Sequence, residues 1–360
     1  MRQRAFSKDY PDSMNQPVRK RRSSGRIKLR DVAELAGVSP MTVSRYFSQR
    51  DLVAPEAQKR IAAAVEQTGY VPNMVAGGLA SARGKTVGMV IPNIAGGVFA
   101  ETVQGVADTL RPLGYQLLLA SSNYSSSEEE EAVRAFIGWS PAALILTGHR
   151  HSAATSDLLA NAGIPVVQTW DYKPESEFVQ VGFSHTSVGR DSALYLHGRG
   201  YRRIVFVHTG QPEDFRAMER ARGYEIAMEE LGLAPSTFHS PIAAPLEAGK
   251  DAFETLLRGR WPAEAIIFAN DNLAAGALLH GLRAKIAIPQ TCAVMGFGDL
   301  SIADKLIPSL TTVRPPRYEI GRIAAVRVIE SLRMEDGELA QGAVQRDNLL
   351  PYEIIEREST

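Results

Sequence analysis

Apolar positions change their period twice along this chain of 360 residues. Residues 1–26 have no hydrophobic period and are rich in Ser, Pro and Arg, a composition that cannot bury a core, so a disordered basic tail is expected there. A helical period sets in at Ile27. In "IKLRDVAELAGVSPMTVSRYFS" the residues Val32, Leu35 and Ala36 fall on one face of a first helix, and Gly37 supplies the left-handed residue that closes it. Ser39 reads as an N-cap and Pro40 as the first position of a second helix, which turns Val43 inward. A third helix, from about Pro55 to Thr68, offers Ile61, Ala64 and Val65 to the other two. Two short helices joined by a glycine-containing turn make a helix-turn-helix unit over residues 27–72.

From Thr86 the period shifts to short unbroken apolar runs separated by helical stretches. "TVGMVIP", "YQLLLAS", "ALILTG" and "IPVVQTW" form one set of strands, and "FVQVGF", "RIVFVH", "EAIIFAN" and "CAVMGF" form a second. Alternation of this kind predicts parallel sheets covered by helices on both faces. The fold class is therefore an N-terminal all-α head followed by an α/β body of two parallel-sheet lobes. Residues 86–171 plus 314–342 are expected in the first lobe and residues 172–313 plus 343–360 in the second, with "DNLLPYEIIE" returning to the second as a strand. Open sheets bind ligands beyond the carboxyl ends of their strands, so two facing lobes would hold a ligand in the cleft between them.

Charge sharpens the picture of the head. The chain is neutral overall, yet residues 1–85 carry 16 Lys/Arg against 7 Asp/Glu, and the remainder carries 24 against 33. A basic head on an acidic body points to a polyanionic partner, although "RKRRSSGR" alone supplies much of the excess. The second helix would enter the major groove, with its N-terminal residues nearest the base edges. Pro40 and Met41 sit there and cannot make a bidentate bond, whereas Arg45, one turn on, suits guanine. Thr42, Ser44 and Tyr70 are candidates for phosphate contacts, and Leu29 is grouped with them at the DNA surface. A small helical domain with no DNA role remains the alternative on the pattern alone.

Other features exclude function classes. No apolar run nears 18 residues, so no membrane partner is expected. The polar start, with Asp9 and Asp12, argues against a signal or transit peptide, and the single Cys292 fits a reducing compartment and a buried strand thiol. A cytoplasmic, nucleoid-associated protein is expected. "GGLASARGKT" mimics a phosphate-binding loop, but the residue five before Gly84 is Leu79, and the segment follows a helix and precedes a strand, the reverse of a P-loop. No nucleophile elbow or cross-cleft carboxylate pair is present, so the chain is not expected to be an enzyme, and neither cofactor nor metal is implied. Polar residues gather after the strands of the body. They suit a small polyhydroxylated ligand held by Asn, Asp and Arg, with Trp170 or Phe99 as a stacking wall. Asn270 and Asp271 equally suit the cap of a following helix.

"LRDVAELAGVSPMTVSRYFS" closely resembles the head of the LacI/GalR family of repressors, and "GYVPNMVAGGLAS" resembles its hinge helix. The resemblance runs from about Lys28 to the C-terminus, and the body resembles the periplasmic-binding-protein fold. It implies a hinge and linker over residues 73–85, with Asn73 at the DNA and Leu79 as an apolar wedge in a minor-groove step. Gly77 and Gly78 each weaken that helix by about 0.8–1 kcal/mol relative to Ala, so it would order only on DNA. In the body the resemblance carries the effector contacts to Arg220 in "ERARGY", Asn270 in "ANDN" and Asp299. On helical spacing alone Arg220 fits a solvated face as well, as do Arg216, Glu219 and Arg222. Gly298 stands where the family usually has a first acid, which removes one hydroxyl acceptor. His149 and His151 replace the usual residues after the third strand and read as polar contacts or surface histidines, with no third ligand at metal spacing. "VVQTWDYKPESEFVQVGFSHTSVGR" and "LILTGHRH" are most similar to the gluconate-utilisation repressors of the family. The implied function is a homodimeric repressor of a carbohydrate-utilisation operon, bound to a pseudo-palindromic operator and released by a sugar acid such as gluconate. Its dimer surface would include "FAETVQGVADTL", although the apolar face of that helix could equally be lobe core. A co-repressor-type regulator using a purine, and a sugar-binding protein without an operator, are the alternatives.

Overall fold

The computed structural model describes residues 27–72, 84–174, 176–209, 214–337, 339 and 344–360. The implied hinge residues Asn73 and Leu79, and the basic tail, lie outside the described residues. The chain divides into two compact units, Met1–Gly77 and Gly78–Thr360.

The head is three helices, α1 (Leu29–Ala36), α2 (Pro40–Ser48) and α3 (Pro55–Thr68). The backbone N–H of Lys28 donates to Asp31 at 2.7 Å and opens α1, and Gly37, at φ 61°, closes it. Ser39 caps α2 by accepting from the Thr42 N–H at 3.1 Å, with Pro40 following it. The core holds Val32, Ala33, Ala36, Val43, Val53, Ile61, Ala64 and Tyr70. Leu35, expected in that core, is 48 % exposed, because the buried stripe runs through positions 32, 33 and 36 and leaves 35 beyond its edge. The Gln58 amide donates to the carbonyls of Arg50 and Val53, at 3.0 and 2.8 Å, and so fixes the turn between α2 and α3.

The body contains two six-stranded sheets. The first is built from β1 (Thr86–Ile91), β2 (Gln116–Ser121), β3 (Ala143–Thr147), β4 (Val166–Asp171), β5 (Val179–Phe183) and β11 (Asp347–Leu349), in the order β11-β5-β4-β3-β1-β2 and all parallel. The second takes β6 (Ile204–Thr209), β7 (Thr237–Ser240), β8 (Ala265–Phe268), β9 (Ala293–Phe297), β10 (Thr311–Arg314) and β12 (Glu353–Ile355), in the order β12-β10-β9-β8-β6-β7, with only β12 antiparallel. Both faces of the first sheet are buried. Val87, Met89, Ala143 and Ile145 join the large core, while Val90, Leu144 and Leu146 join a second one with Val133 and Phe136.

Lobe membership differs from the sequence reading at two places. β5, assigned there to the second set, pairs with β4 in the first sheet. The terminal "DNLLPYEIIE" is two strands, since β11 joins β5 in the first sheet and β12 joins β10 in the second, with Pro351 in the crossing between them. The chain therefore passes between lobes around residues 184, 315 and 351.

The helices are α4 (Ala100–Leu110), α5 (Ser126–Gly138), α6 (Ala153–Asn161), α7 (His185–Gly198), α8 (Phe215–Glu230), α9 (Pro245–Arg258), α10 (Asp271–Ala284) and α11 (Arg317–Glu335). The buried side of α4, with Thr102, Gly105, Val106 and Leu110, packs on α11, so its apolar stripe is lobe core. Cys292 is buried, and burial pushes its thiol up to about 12. No described helix is long and apolar enough to cross a membrane.

Candidate functional site

In the head, α2 offers an open face. Pro40, Met41, Ser44 and Arg45 are exposed, Met41 by 67 %, and the Arg45 guanidinium bonds to no described residue. Thr42 is half-buried, with its hydroxyl 2.8 Å from the Ser39 cap. Leu29 is half-buried against the head core. Tyr70, read as a phosphate contact, is only 8 % exposed and packs 6.0 Å from Phe47, so its ring serves the core.

In the body, strand ends and helix starts converge between the sheets. At the end of β4, Trp170 adopts φ 75°, a left-handed conformation rare for a bulky residue and a mark of local strain. Its indole N–H donates to Thr102 at 3.1 Å, and its ring packs 4.8 Å from Phe99 and 5.9 Å from Phe183. Trp170 is 1 % exposed, so it stands behind Phe99 rather than presenting a stacking face. Asp171 follows it and is the centre of the cluster. One carboxylate oxygen accepts from the His149 backbone N–H at 3.2 Å and lies 3.1 Å from His149 Nδ1. The other lies 3.4 Å from His185 Nε2 and 3.8 Å from an Arg216 nitrogen. Burial alone would raise the Asp171 carboxyl, but the Arg216 charge and the two histidines more than offset it and hold it well below the usual range.

The second lobe supplies the cations. Arg216 and Arg220 lie one turn apart at the start of α8, which the Asp214 side chain caps by accepting from the Ala217 N–H at 3.1 Å. Arg220 is 5 % exposed; it donates to His185 Nδ1 and to the Ala269 carbonyl, each at 2.9 Å, and lies 4.0 Å above the Phe297 ring. Its Nε finds no partner. Burial is the main reason its pKa falls to about 10, which leaves it charged at neutral pH but poorly compensated. Burial likewise pushes His185 down to about 4, so it is neutral. This geometry depends on the crossing of α7 and α8. A Cβ on Gly189 would meet the Arg220 carbonyl, and one on Gly223 would meet the Thr186 carbonyl. Only glycine at both places lets His185 and Arg220 come within bonding distance.

Of the effector residues read from the sequence, His149 and Arg220 share this cluster, joined through Asp171 and His185. Phe99 joins it through Arg216, whose guanidinium carbon lies 5.9 Å from the ring. Asn270 is the cap of α10, accepting from the Leu273 N–H at 3.0 Å, next to the carbonyl that Arg220 holds. Asp271 is instead fully buried, accepting from Thr312 at 2.6 Å and from the Leu300 N–H at 2.7 Å. Asp299 is engaged on both oxygens, with Arg314 at 2.6 Å and Arg357 at 2.7 Å. His151 turns away into a buried network with Glu129, at 2.7 Å, and Gln168, at 3.1 Å. Sequence reasoning missed Asp171, His185, Phe297 and Tyr124, and placed Arg216 in solvent although it is buried against Asp171. The i, i+4 spacing of Arg216 and Arg220 was the available signal for the last. Across the rim, Arg150 of the first lobe pairs with Glu219 of the second at 3.4 Å and lies over the Phe215 ring at 4.7 Å.

Among the described residues, four of the five buried side chains that carry an unpartnered polar atom, Thr147, Asp171, His185 and Arg220, belong to the elements that meet here. Buried polar atoms are ordinarily satisfied, so their concentration at one place makes this cluster the candidate site for a polar ligand. Among the described residues no three His, Cys, Asp or Glu side chains gather to hold a metal ion.

Residues 28–73 match the family model described as bacterial regulatory proteins, lacI family, and residues 193–360 match that of a periplasmic binding protein-like domain. The chain is 34 % identical over 343 residues to the HTH-type transcriptional regulator GntR of Pseudomonas aeruginosa, covering 94 % of this chain and 97 % of that one. It is 32 % identical to the HTH-type transcriptional regulator IdnR of Escherichia coli, over 86 % and 93 % of the two chains. Among solved structures it is similar to a LacI family transcriptional regulator from Silicibacter pomeroyi, with a TM-score of 0.85 and 32 % identity over 92 % of this chain and 99 % of that one.

Proposed function

Since the chain belongs to the lacI family of bacterial regulatory proteins, and is thus a DNA-binding transcriptional repressor, we propose that it is released from its operator by a sugar acid such as gluconate. The observation that carries this reading is Arg220, a buried guanidinium with no carboxylate bonded to it and an Nε–H that has no partner. A planar fork in such a place suits a ligand carboxylate, which it can grip through two parallel bonds. The starts of α7, α8 and α10 meet around it and add the partial positive charge of their N-termini. Asp171, Thr147 and His149 then face the hydroxyls.

The regulated genes belong to carbohydrate utilisation in this reading. The repressor acts as a homodimer in the cytoplasm, two heads reading the half-sites of a pseudo-palindrome. Closure of the lobes on the ligand weakens DNA binding, and operator DNA weakens ligand binding by the same factor, a coupling of about 1–3 kcal/mol. Titration calorimetry with gluconate, neutral sugars and purines, repeated with operator DNA present, tests both halves. Binding of a purine or neutral sugar in preference to every sugar acid overturns the ligand class. Tighter DNA binding on adding the ligand makes it a co-repressor instead of an inducer.

Arg45 is assigned the base contact. Arg45→Ala is expected to cost about 1–3 kcal/mol in operator affinity and to relax the preference at one base pair per half-site. Gel-shift titration against a panel of single-base operator variants checks it. A uniform loss across the panel would mark Arg45 as a phosphate contact.

A further inference from the structure

The protonation pattern of the cleft can be read from its bonds. An arginine only donates, so the Nδ1 of His185, 2.9 Å from Arg220, must be the bare, accepting nitrogen. The ring is neutral, and its proton therefore sits on Nε2. That N–H faces Asp171 Oδ1 at 3.4 Å, a long and poorly aligned contact, and neither atom has any other hydrogen-bond partner. Asp171 is ionised beside Arg216, so it only accepts. The same reasoning fixes His149. Its Nδ1 lies 3.1 Å from the other oxygen of Asp171, which only accepts, and so must donate to it. The cleft thus holds a donor and an acceptor, both buried and on opposite lobes next to the Arg220 guanidinium, that meet only each other and only across a long contact.

Only a group that donates and accepts at once satisfies this pair. An alcohol accepts from His185 Nε2–H and donates to Asp171 Oδ1. A ketone accepts from the histidine but turns its lone pairs against the carboxylate. A carboxylate brings like charge to Asp171, and a methylene leaves both atoms unpaired. Resting on the reading of the ligand as a sugar acid, we propose that His185 Nε2 and Asp171 Oδ1 form a hydroxyl subsite that reads the alcohol at C2 or C3 of an open-chain aldonate, with the carboxylate directed to Arg220. The subsite fixes the direction in which the ligand lies and rejects the acid that carries a ketone or a methylene at the recognised carbon. Because the two atoms belong to different lobes, the same hydroxyl bridges the cleft.

The test is calorimetry on the full-length protein with gluconate, 2-ketogluconate, 2-deoxygluconate and 3-deoxygluconate. Sites that hydrogen-bond a hydroxyl reject the analogue lacking it by large factors. A loss of about a hundredfold relative to gluconate is therefore expected for one of the deoxy acids; if that is the 2-deoxy acid, 2-ketogluconate fails with it. In Asp171→Asn the preference should shrink to within about threefold, since the amide offers a donor where the carboxylate only accepted. If gluconate binds and all three analogues bind within threefold of it, the subsite is refuted while the sugar-acid reading stands. If the analogues are discriminated but Asp171→Asn leaves the ratios unchanged, the discrimination lies elsewhere and the assignment falls. Failure of every acid to bind removes the underlying reading and the subsite with it.

Discussion

Arg220→Met is expected to abolish the response to the sugar acid while leaving operator binding within about twofold of the original. Methionine keeps much of the volume beside Phe297 but brings no donor and no charge. Truncating one partner of a buried, hydrogen-bonded charge pair costs about 2–5 kcal/mol, which is roughly thirtyfold to several thousandfold in Kd. The head folds around its own core, so DNA binding without ligand should persist, and the variant should repress irrespective of inducer. Its stability should change far less. Burial holds the Arg220 pKa down to about 10, a sign that the charge is uncomfortable in the ligand-free body. Removing it relieves that cost, against the loss of charge-assisted bonds to His185 and Ala269 worth about 1.5–3 kcal/mol each. The two largely offset, so the body's thermal midpoint should stay close to the original while ligand binding disappears. Calorimetric titration and thermal unfolding of the same preparation decide it. Retained affinity within threefold, or a folded body much less stable than the original, would remove Arg220 from the role.

The two-lobe architecture was legible because strand and helix periods are carried by many residues at once. Where single residues had to decide, the outcome was mixed. β5 was placed in the wrong sheet because parallel neighbours are normally joined through a helix, whereas the described residues of the segment 172–178 that joins β4 to β5 form none. Pro351 divides what reads as one apolar run, and no period in five or six residues reveals a change of sheet. At the candidate cluster the sequence pointed to Arg220 and His149 but not to Asp171 and His185. Each of those two looks ordinary in sequence, an acid ending a strand and a histidine after a capping Ser184, and their importance arises from a contact between lobes. Arg216 was misplaced for a related reason. Charged residues surround it on α8, and a helix with charge on most faces does not show which face another lobe will cover. Of the two residues that suited the cap, Asn270 takes the N–H of Leu273, which frees Asp271 to hold Thr312 and Leu300.

That buried Asp271 and the buried His185 impose opposite pH dependences on the body, and separating them gives the second large effect expected. Burial raises the Asp271 carboxyl from its ordinary value to about 6, although Thr312 and the Leu300 N–H work against the rise. A folded-state pKa above the unfolded one means that the folded chain binds more protons between the two. The stability Asp271 contributes is thus present below about 4 and is lost as the pH climbs toward 6. Burial lowers His185 to about 4, with the Arg220 charge adding to the shift. Here the unfolded chain binds more protons, so stability is present above about 6.5 and is lost as the pH falls toward 4. Each swing is on the order of 3 kcal/mol, and over the shared window they largely cancel. Substitution uncovers each one. Asn in place of His185 keeps an acceptor for Arg220, so His185→Asn should show stability that declines, relative to the original, as the pH rises from 4 to 6.5. Asp271→Asn should show the reverse, gaining on the original across the rise from 4 to 6. Urea denaturation of both variants and the original at half-unit pH steps makes the comparison. Profiles that run parallel to the original within about 1 kcal/mol would mean that neither group changes its proton affinity on folding, and that the cleft is wetter than its packing implies.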